Sequence, residues 1–203
     1  PDQVGSVFCG QVRWATYGAV DDINAQPHVV RCKRHIYGAH NGNISNSPQL
    51  KVFLQGEGHS ILSDNDGEML VHIIEHNYDL ELNKNIHPDL ESAMRAAIIA
   101  SAKILEGSYA AVIVIPETKM VFALKGGSSL YVGIGKETPL PGSTEKSEEN
   151  PFIVASSDLT AVLRETRLII PIVRDQFIQY DGADSTVYAM KDHSTKDQNG
   201  KEL

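Results

Sequence analysis

With 203 residues, of which 41% are hydrophobic and 22% charged, the chain is long enough to bury one substantial core and is globular rather than disordered. A formal net charge of −8 excludes a sequence-independent grip on nucleic acid, which takes a surplus of Lys and Arg against phosphate. Its apolar runs fall short of the roughly 18 residues of a membrane span, the first residues lack the pattern of a signal peptide, and the two cysteines, Cys9 and Cys32, cannot build a disulfide framework, so a cytoplasmic protein with packing cysteines is expected.

In chain order, a strand is expected to carry Cys9 toward Arg13, and a second strand over 36–40 to end in a tight turn at Asn41-Gly42. Ser47-Pro48 ahead of Leu50, Phe53 and Leu54, with Gly56 after them, predicts a short helix with Ser47 as its cap. Met69, Leu70, Ile73 and Ile74 recur at helical spacing and predict a helix from 67 to about 77, with Asp66 as a candidate cap. Leu90, Ala93, Met94, Ala97, Ile98, Ile104 and Leu105 predict another after Pro88. The rhythm then changes to β-branched and aromatic runs at 109–115, 120–124, 130–134, 152–155 and 177–180, read as strands of an antiparallel meander. Residues 136–150, rich in Pro, Ser, Thr and Glu, read as a polar loop within a single domain of residues 1–190, and 191–203 as a polar tail. Helices followed by strands predict an α+β layered fold.

Four segments carry chemistry: Arg13-Trp14-Ala15-Thr16-Tyr17-Gly18, Asn24-Ala25-Gln26-Pro27-His28, His40-Asn41-Gly42 and Ser63-Asp64-Asn65-Asp66-Gly67-Glu68. Asn41 offers a side-chain amide and Gly42 a backbone N–H, the donor pair that an oxyanion needs. In this order and spacing the segments resemble the glutamine pocket of class II, N-terminal-nucleophile glutamine amidotransferases, over about residues 10–163. The resemblance implies an αββα four-layer sandwich that lacks its first strands here, with an unpaired sheet edge in consequence. It also implies that Arg13 grips the substrate carboxylate with two parallel hydrogen bonds, Thr16 adds polar contacts, Asp66 and Gly67 receive the substrate's ammonium end, Asn41 and Gly42 form the oxyanion hole, and Trp14 closes an ammonia channel.

The family's nucleophile is an N-terminal cysteine whose own amine acts as base. Position 1 is Pro1, so the chain as given is expected to be inactive, and Cys9, with no free amine beside it, is not read as a replacement. Arg13-Trp14-Ala15-Thr16-Tyr17-Gly18 and the run Gly127-Ser128-Ser129-Leu130-Tyr131-Val132-Gly133-Ile134-Gly135 resemble the members that aminate fructose 6-phosphate, the first reading. The second, carried by Asn24-Ala25-Gln26-Pro27 and His40-Asn41-Gly42-Asn43, is the amidophosphoribosyltransferases of purine synthesis; a cysteine-free module that binds glutamine or a partner is a third. Tyr17, Asn65, Gly67 and Ser129 depart from the family's usual residues and read as divergence. The resemblance implies glutamine as substrate, C-terminal sugar-phosphate isomerase domains as partners, a homo-oligomer, and no cofactor or metal.

Two further patterns carry less. His72-Ile73-Ile74-Glu75-His76 matches the H-x-x-E-H arrangement of some zinc hydrolases, but the isoleucines place it on a buried helix and no second motif offers a third ligand, so these are expected to be helix histidines. Gly133-Ile134-Gly135-Lys136 lacks the spacing of a phosphate loop and reads as a strand end.

Overall fold

The computed structural model describes residues 7–12, 22–136, 151–182 and 184–191. Its centre is a six-stranded sheet in the order β1-β2-β3-β4-β8-β9, built from β1 (His28–Val30), β2 (Ile36–Ile44), β3 (Gly107–Ile115), β4 (Met120–Gly126), β8 (Gln176–Tyr180) and β9 (Ser185–Ala189). A second sheet has the order β6-β5-β7, from β5 (Tyr131–Lys136), β6 (Pro151–Ser156) and β7 (Leu168–Ile170). All the strand pairings within the two sheets are antiparallel.

The alternation of side chains along β3 explains why two cores form. Tyr109, Ala111, Ile113 and Ile115 face one way, where with Phe122, Leu124 and Phe177 they meet α2 (Asp66–Asn83) and α3 (Leu90–Ala102) through Leu70, Ile73, Ile74, Met94 and Ile98. Ala110, on the opposite face, joins Ala123 and Ile178 against Leu130, Val132 and Ile172, so the two sheets pack face to face. Small alanines on the large sheet let the smaller one approach. The outer face of β5 is covered by α4 (Leu159–Glu165), and Gly133 is where they come closest, since a β-carbon there would run into Val162 and Thr166. The layers are therefore helix, sheet, sheet, helix, as expected.

Several local readings are corrected. The strand over 36–40 continues to Ile44, so Asn41 and Gly42 lie within β2, opposite Ala110 and Tyr109, rather than in a turn beyond it. Ser47 lies inside α1 (Ser47–Gly56) instead of capping it: Asn46 occupies the cap position, and its side chain bonds Ile104 O and Glu106 N, tying the helix start to the connection between α3 and β3. The cap of α2 is Asn65, whose Oδ1 accepts from Gly67 N at 2.9 Å, so Asp66 is the first helical residue. The meander is broken, because β5, β6 and β7 leave for the second sheet and β8 returns to pair with β4. Residues 7–12 form no strand, so Cys9 does not lie on one. Most of the 136–150 loop, the 191–203 tail beyond Lys191, and Arg13, Trp14 and Thr16 lie outside the described residues.

Candidate functional site

The site is assembled at the junction of β2 and the start of α2. Asp66 Oδ2 accepts the Ile44 backbone N–H at 2.8 Å, two residues beyond Gly42, and faces His40 Nε2 at 3.3 Å. Burial opposes the ionised form of Asp66, but the His40 ring and the Ile44 N–H outweigh it and hold the carboxyl below its usual range. His40 is itself fixed from three sides. Gln26 Oε1 accepts the His40 backbone N–H at 2.6 Å, Gln26 Nε2 lies 3.2 Å from Nδ1, and Gln11 Nε2 donates to His40 O at 2.6 Å. Nε2 thus faces Asp66 and Nδ1 the Gln26 amide, so each ring nitrogen has a polar partner.

Asn24 performs a similar task one layer away. Its Oδ1 accepts from Asp64 N at 3.1 Å and its carbonyl from Asn65 Nδ2 at 2.8 Å, binding the segment before α2 to the 24–28 segment. Glu68 completes the anchorage by accepting Leu62 N at 2.8 Å and Ser63 N at 2.6 Å, in place of the reciprocal bond to the cap residue that a Glu at this position usually makes. Asn24 and Gln26 belong to a segment singled out from the sequence, but their roles as anchors were not visible there; Gln11 gave no signal.

Asn41 and Gly42 are exposed at the end of the strand so positioned. Gly42 has φ +131°, a conformation closed to most side chains, and a β-carbon there would collide with Ser108 O. Beside Asp66 a cavity of about 390 Å³ is lined by Ser47, Lys51, Ser63 and Asp64, with Lys51 Nζ paired to Asp64 Oδ1 at 3.0 Å. The structure thus sets Asp66 and Gly67 against the stretch of β2 that contains Asn41 and Gly42, while Arg13, Trp14 and Thr16 fall outside the described residues. Cys9 is half-buried, and burial pushes its thiol pKa up, the opposite of what a nucleophile requires.

A second polar cluster lies on the far side of α2's first turns. His59, His72 and Glu75 are buried, with Cys32 half-buried beside them, and one ligand atom from each lies within 4.8 Å of the others. Of the H-x-x-E-H residues only His72 and Glu75 belong to this group; His76 stands behind His59, with Nδ1 at 3.2 Å from His59 Nε2. Cys32 and His59 are isolated in sequence, so no local spacing announced them.

The two-sheet arrangement is shared by solved structures. The glutamine phosphoribosylpyrophosphate amidotransferase from B. subtilis matches 90% of this chain and 34% of its own with a TM-score of 0.60 at 22% identity. A structure described as the allosteric regulatory enzyme of purine biosynthesis matches 90% of this chain and 35% of its own with a TM-score of 0.63, also at 22% identity. At that identity the likeness establishes the fold. The sequence profile described as "Glutamine amidotransferase domain" matches residues 13–147, and the chain belongs to that family. Curated relatives agree: the glutamine--fructose-6-phosphate aminotransferase [isomerizing] of Sulfolobus acidocaldarius is 38% identical over 168 residues, covering 83% of this chain and 24% of the relative. That of Sulfurisphaera tokodaii is 35% identical over 171 residues, covering 84% and 25%. The chain therefore spans about a quarter of the length of these relatives.

Proposed function

We propose that this chain is the glutaminase domain of a glutamine:fructose-6-phosphate aminotransferase, releasing ammonia from glutamine for transfer to the sugar phosphate elsewhere in the protein. The observation that carries the reading is the Asp66–Ile44 bond, because it sets an anchored carboxylate beside the strand end that exposes Asn41 and Gly42. A bound glutamine then has its ammonium on Asp66, beside Gly67, and its side-chain amide toward Asn41 and Gly42. The Asn41 amide and Gly42 N–H stabilise the oxyanion of the tetrahedral intermediate, each donor contributing about 3 kcal/mol. Arg13 takes the substrate carboxylate, Thr16 supports it, and Trp14 closes the ammonia path. Neither described cysteine is assigned as nucleophile: Cys9 is half-buried with a raised pKa, and Cys32 sits in the second cluster.

The names of the relatives support fructose 6-phosphate as acceptor, and their greater length supports partner isomerase domains. A cytoplasmic homo-oligomer fits this assignment, and among the described residues no helix is long and apolar enough to cross a membrane. The test is an assay of the full-length protein with glutamine and either fructose 6-phosphate or phosphoribosyl pyrophosphate. Glutamate release coupled to amination of fructose 6-phosphate supports the proposal. Coupling to phosphoribosyl pyrophosphate moves the chain to the purine-synthesis members, and glutamine binding without release makes it a binding module.

A further inference from the structure

His59 and Glu75 side chains are completely buried and His72 is 3% exposed, an arrangement that ordinary packing does not favour. Three of their atoms converge on one point. His59 Nδ1 lies 3.2 Å from His72 Nδ1 and 3.0 Å from Glu75 Oε2, and His72 Nδ1 lies 3.8 Å from the same oxygen. A single ring N–H on His59 cannot serve both His72 Nδ1 and Glu75 Oε2, and Oε2, fully buried, makes no hydrogen bond of good geometry among the described residues although His59 Nδ1 stands 3.0 Å away. Ligands at 2.0–2.1 Å from a tetrahedral zinc ion are about 3.3 Å apart, which the observed separations bracket. Cys32 Sγ supplies a fourth, softer donor within 4.8 Å of the others.

The atoms that do not converge are all held from behind. His72 Nε2 faces Glu68 Oε1 at 3.5 Å, a carboxylate–histidine pair of the kind that orients metal ligands. His59 Nε2 faces His76 Nδ1 at 3.2 Å. Glu75 Oε1 accepts the backbone N–H groups of Lys33 and Arg34, leaving Oε2 directed inward, and Cys32 Sγ accepts from Ser60 N at 3.3 Å. Each donor thus has one atom turned inward and a support that fixes its direction.

We propose that Cys32 Sγ, His59 Nδ1, His72 Nδ1 and Glu75 Oε2 form a structural binding site for a divalent metal ion of the zinc type. A thiolate, two imidazoles and a carboxylate suit zinc better than the oxygen-seeking calcium or magnesium. Four protein donors leave no open position, so the ion is structural. It joins three pieces of chain that no strand pairing connects: the turn after β1, the connection between α1 and α2, and α2 itself. Cys32 gives up its thiol proton on binding, while the imidazoles bind through their lone pairs.

The test uses the full-length protein purified from metal-replete cells, with readouts that do not involve turnover. Elemental analysis is expected to find one zinc ion per chain, and X-ray absorption one sulfur and three nitrogen or oxygen neighbours. After chelation, cobalt(II) is expected to restore one equivalent with tetrahedral visible bands and a thiolate-to-cobalt band in the near ultraviolet. Cys32→Ser is expected to abolish the thiolate band, and His59→Gln to weaken binding at least 100-fold. His76→Ala, which leaves all four donors in place and removes the support behind His59, is expected to weaken it about 10- to 100-fold. A folded wild-type protein below one-tenth equivalent of metal that takes up neither zinc nor cobalt overturns the proposal. So does bound metal without a sulfur neighbour, or a thiolate band that survives in Cys32→Ser. The wild-type measurements decide the matter even where a variant fails to fold.

Discussion

The His40 ring packs directly onto Gly67: a β-carbon at that position would overlap Nδ1 and Cε1 of the imidazole. The first turn of α2 can therefore approach β2 closely enough for Asp66 to reach both Ile44 N and His40 Nε2 only because residue 67 has no side chain. A glycine with an ordinary helical backbone is here a packing requirement rather than a conformational one.

Gly67→Ala accordingly sets two effects against each other. Alanine is favoured in a helix by up to about 1 kcal/mol, whereas overpacking a closed contact costs about 1–3 kcal/mol. The net expectation is a loss of about 1–2 kcal/mol, read as a fall of a few degrees in Tm, together with slower glutamine cleavage. Adding His40→Ala relieves the overlap, so the double variant is expected to be more stable than the sum of the two single changes by at least about 0.5 kcal/mol. An unchanged or raised Tm in Gly67→Ala would show that the ring yields without cost.

Asn65 and Asp66 stand side by side with separable duties. Asn65 caps α2 through Gly67 N and donates to Asn24 O from a buried position. Asn65→Ala should therefore destabilise the fold by about 1–2 kcal/mol. Asp66→Asn keeps an oxygen for Ile44 N but removes the charge proposed to meet the substrate ammonium, so it should raise KM for glutamine at least tenfold with a smaller change in Tm. Calorimetry and steady-state kinetics on the pair check this crossed pattern, and a large Tm loss in Asp66→Asn with unchanged KM would return Asp66 to a purely structural role.

The proposed oxyanion and carboxylate contacts make a second crossed pair. In the full-length protein Asn41→Ala removes a donor used as charge develops, so kcat should fall about 100- to 1,000-fold with KM little altered. Arg13→Ala removes a contact made equally by bound substrate and transition state, so it should act mainly on KM. The reverse pattern would show that the two ends of glutamine are exchanged in the pocket.

The parts of this architecture that were legible from sequence are those written locally. Met69, Leu70, Ile73 and Ile74 mark α2 by period, although its last turns, where Tyr78 and Glu81 alternate with exposed residues, dissolve the pattern and hid the extension to Asn83. The strand runs of β3 and β5 look alike as sequence. Which sheet each joins is decided by distant pairings, Gly38 with Ile113 for β3 and Val132 with Ile170 for β5, and β1 and β7, at three residues each, are too short to show a period. Asn41, Gly42, Asp66 and Gly67 stood out in the sequence because they sit in compact motifs. The second cluster was not, because Cys32 and His59 are single residues on separate connections. The run His72-Ile73-Ile74-Glu75-His76, read from sequence as helix residues, contains two of its four members, and its His76 supports His59 from behind.

His28 gives the fold a specific acid sensitivity. It is buried at the start of β1, and burial pushes its imidazole down to about 4; the Glu68 carboxylate and Asn65 oppose that shift, while His40 and His72 add to it. Its unfolded-state pKa is about 6.5, so between these values the unfolded chain binds the proton and the folded chain does not. The contribution of neutral His28 is complete above pH 6.5, declines as pH falls toward 4, and is exhausted below that, amounting to at most about 3 kcal/mol. His28→Gln keeps a polar side chain without a titrating group. Denaturant unfolding of both proteins between pH 7 and pH 4 should show the wild type losing about 2–3 kcal/mol more than the variant. Titrating groups that do not interact with His28 contribute to both curves and cancel in the difference. Parallel curves would mean that His28 accepts its proton in the folded state as readily as in the unfolded one.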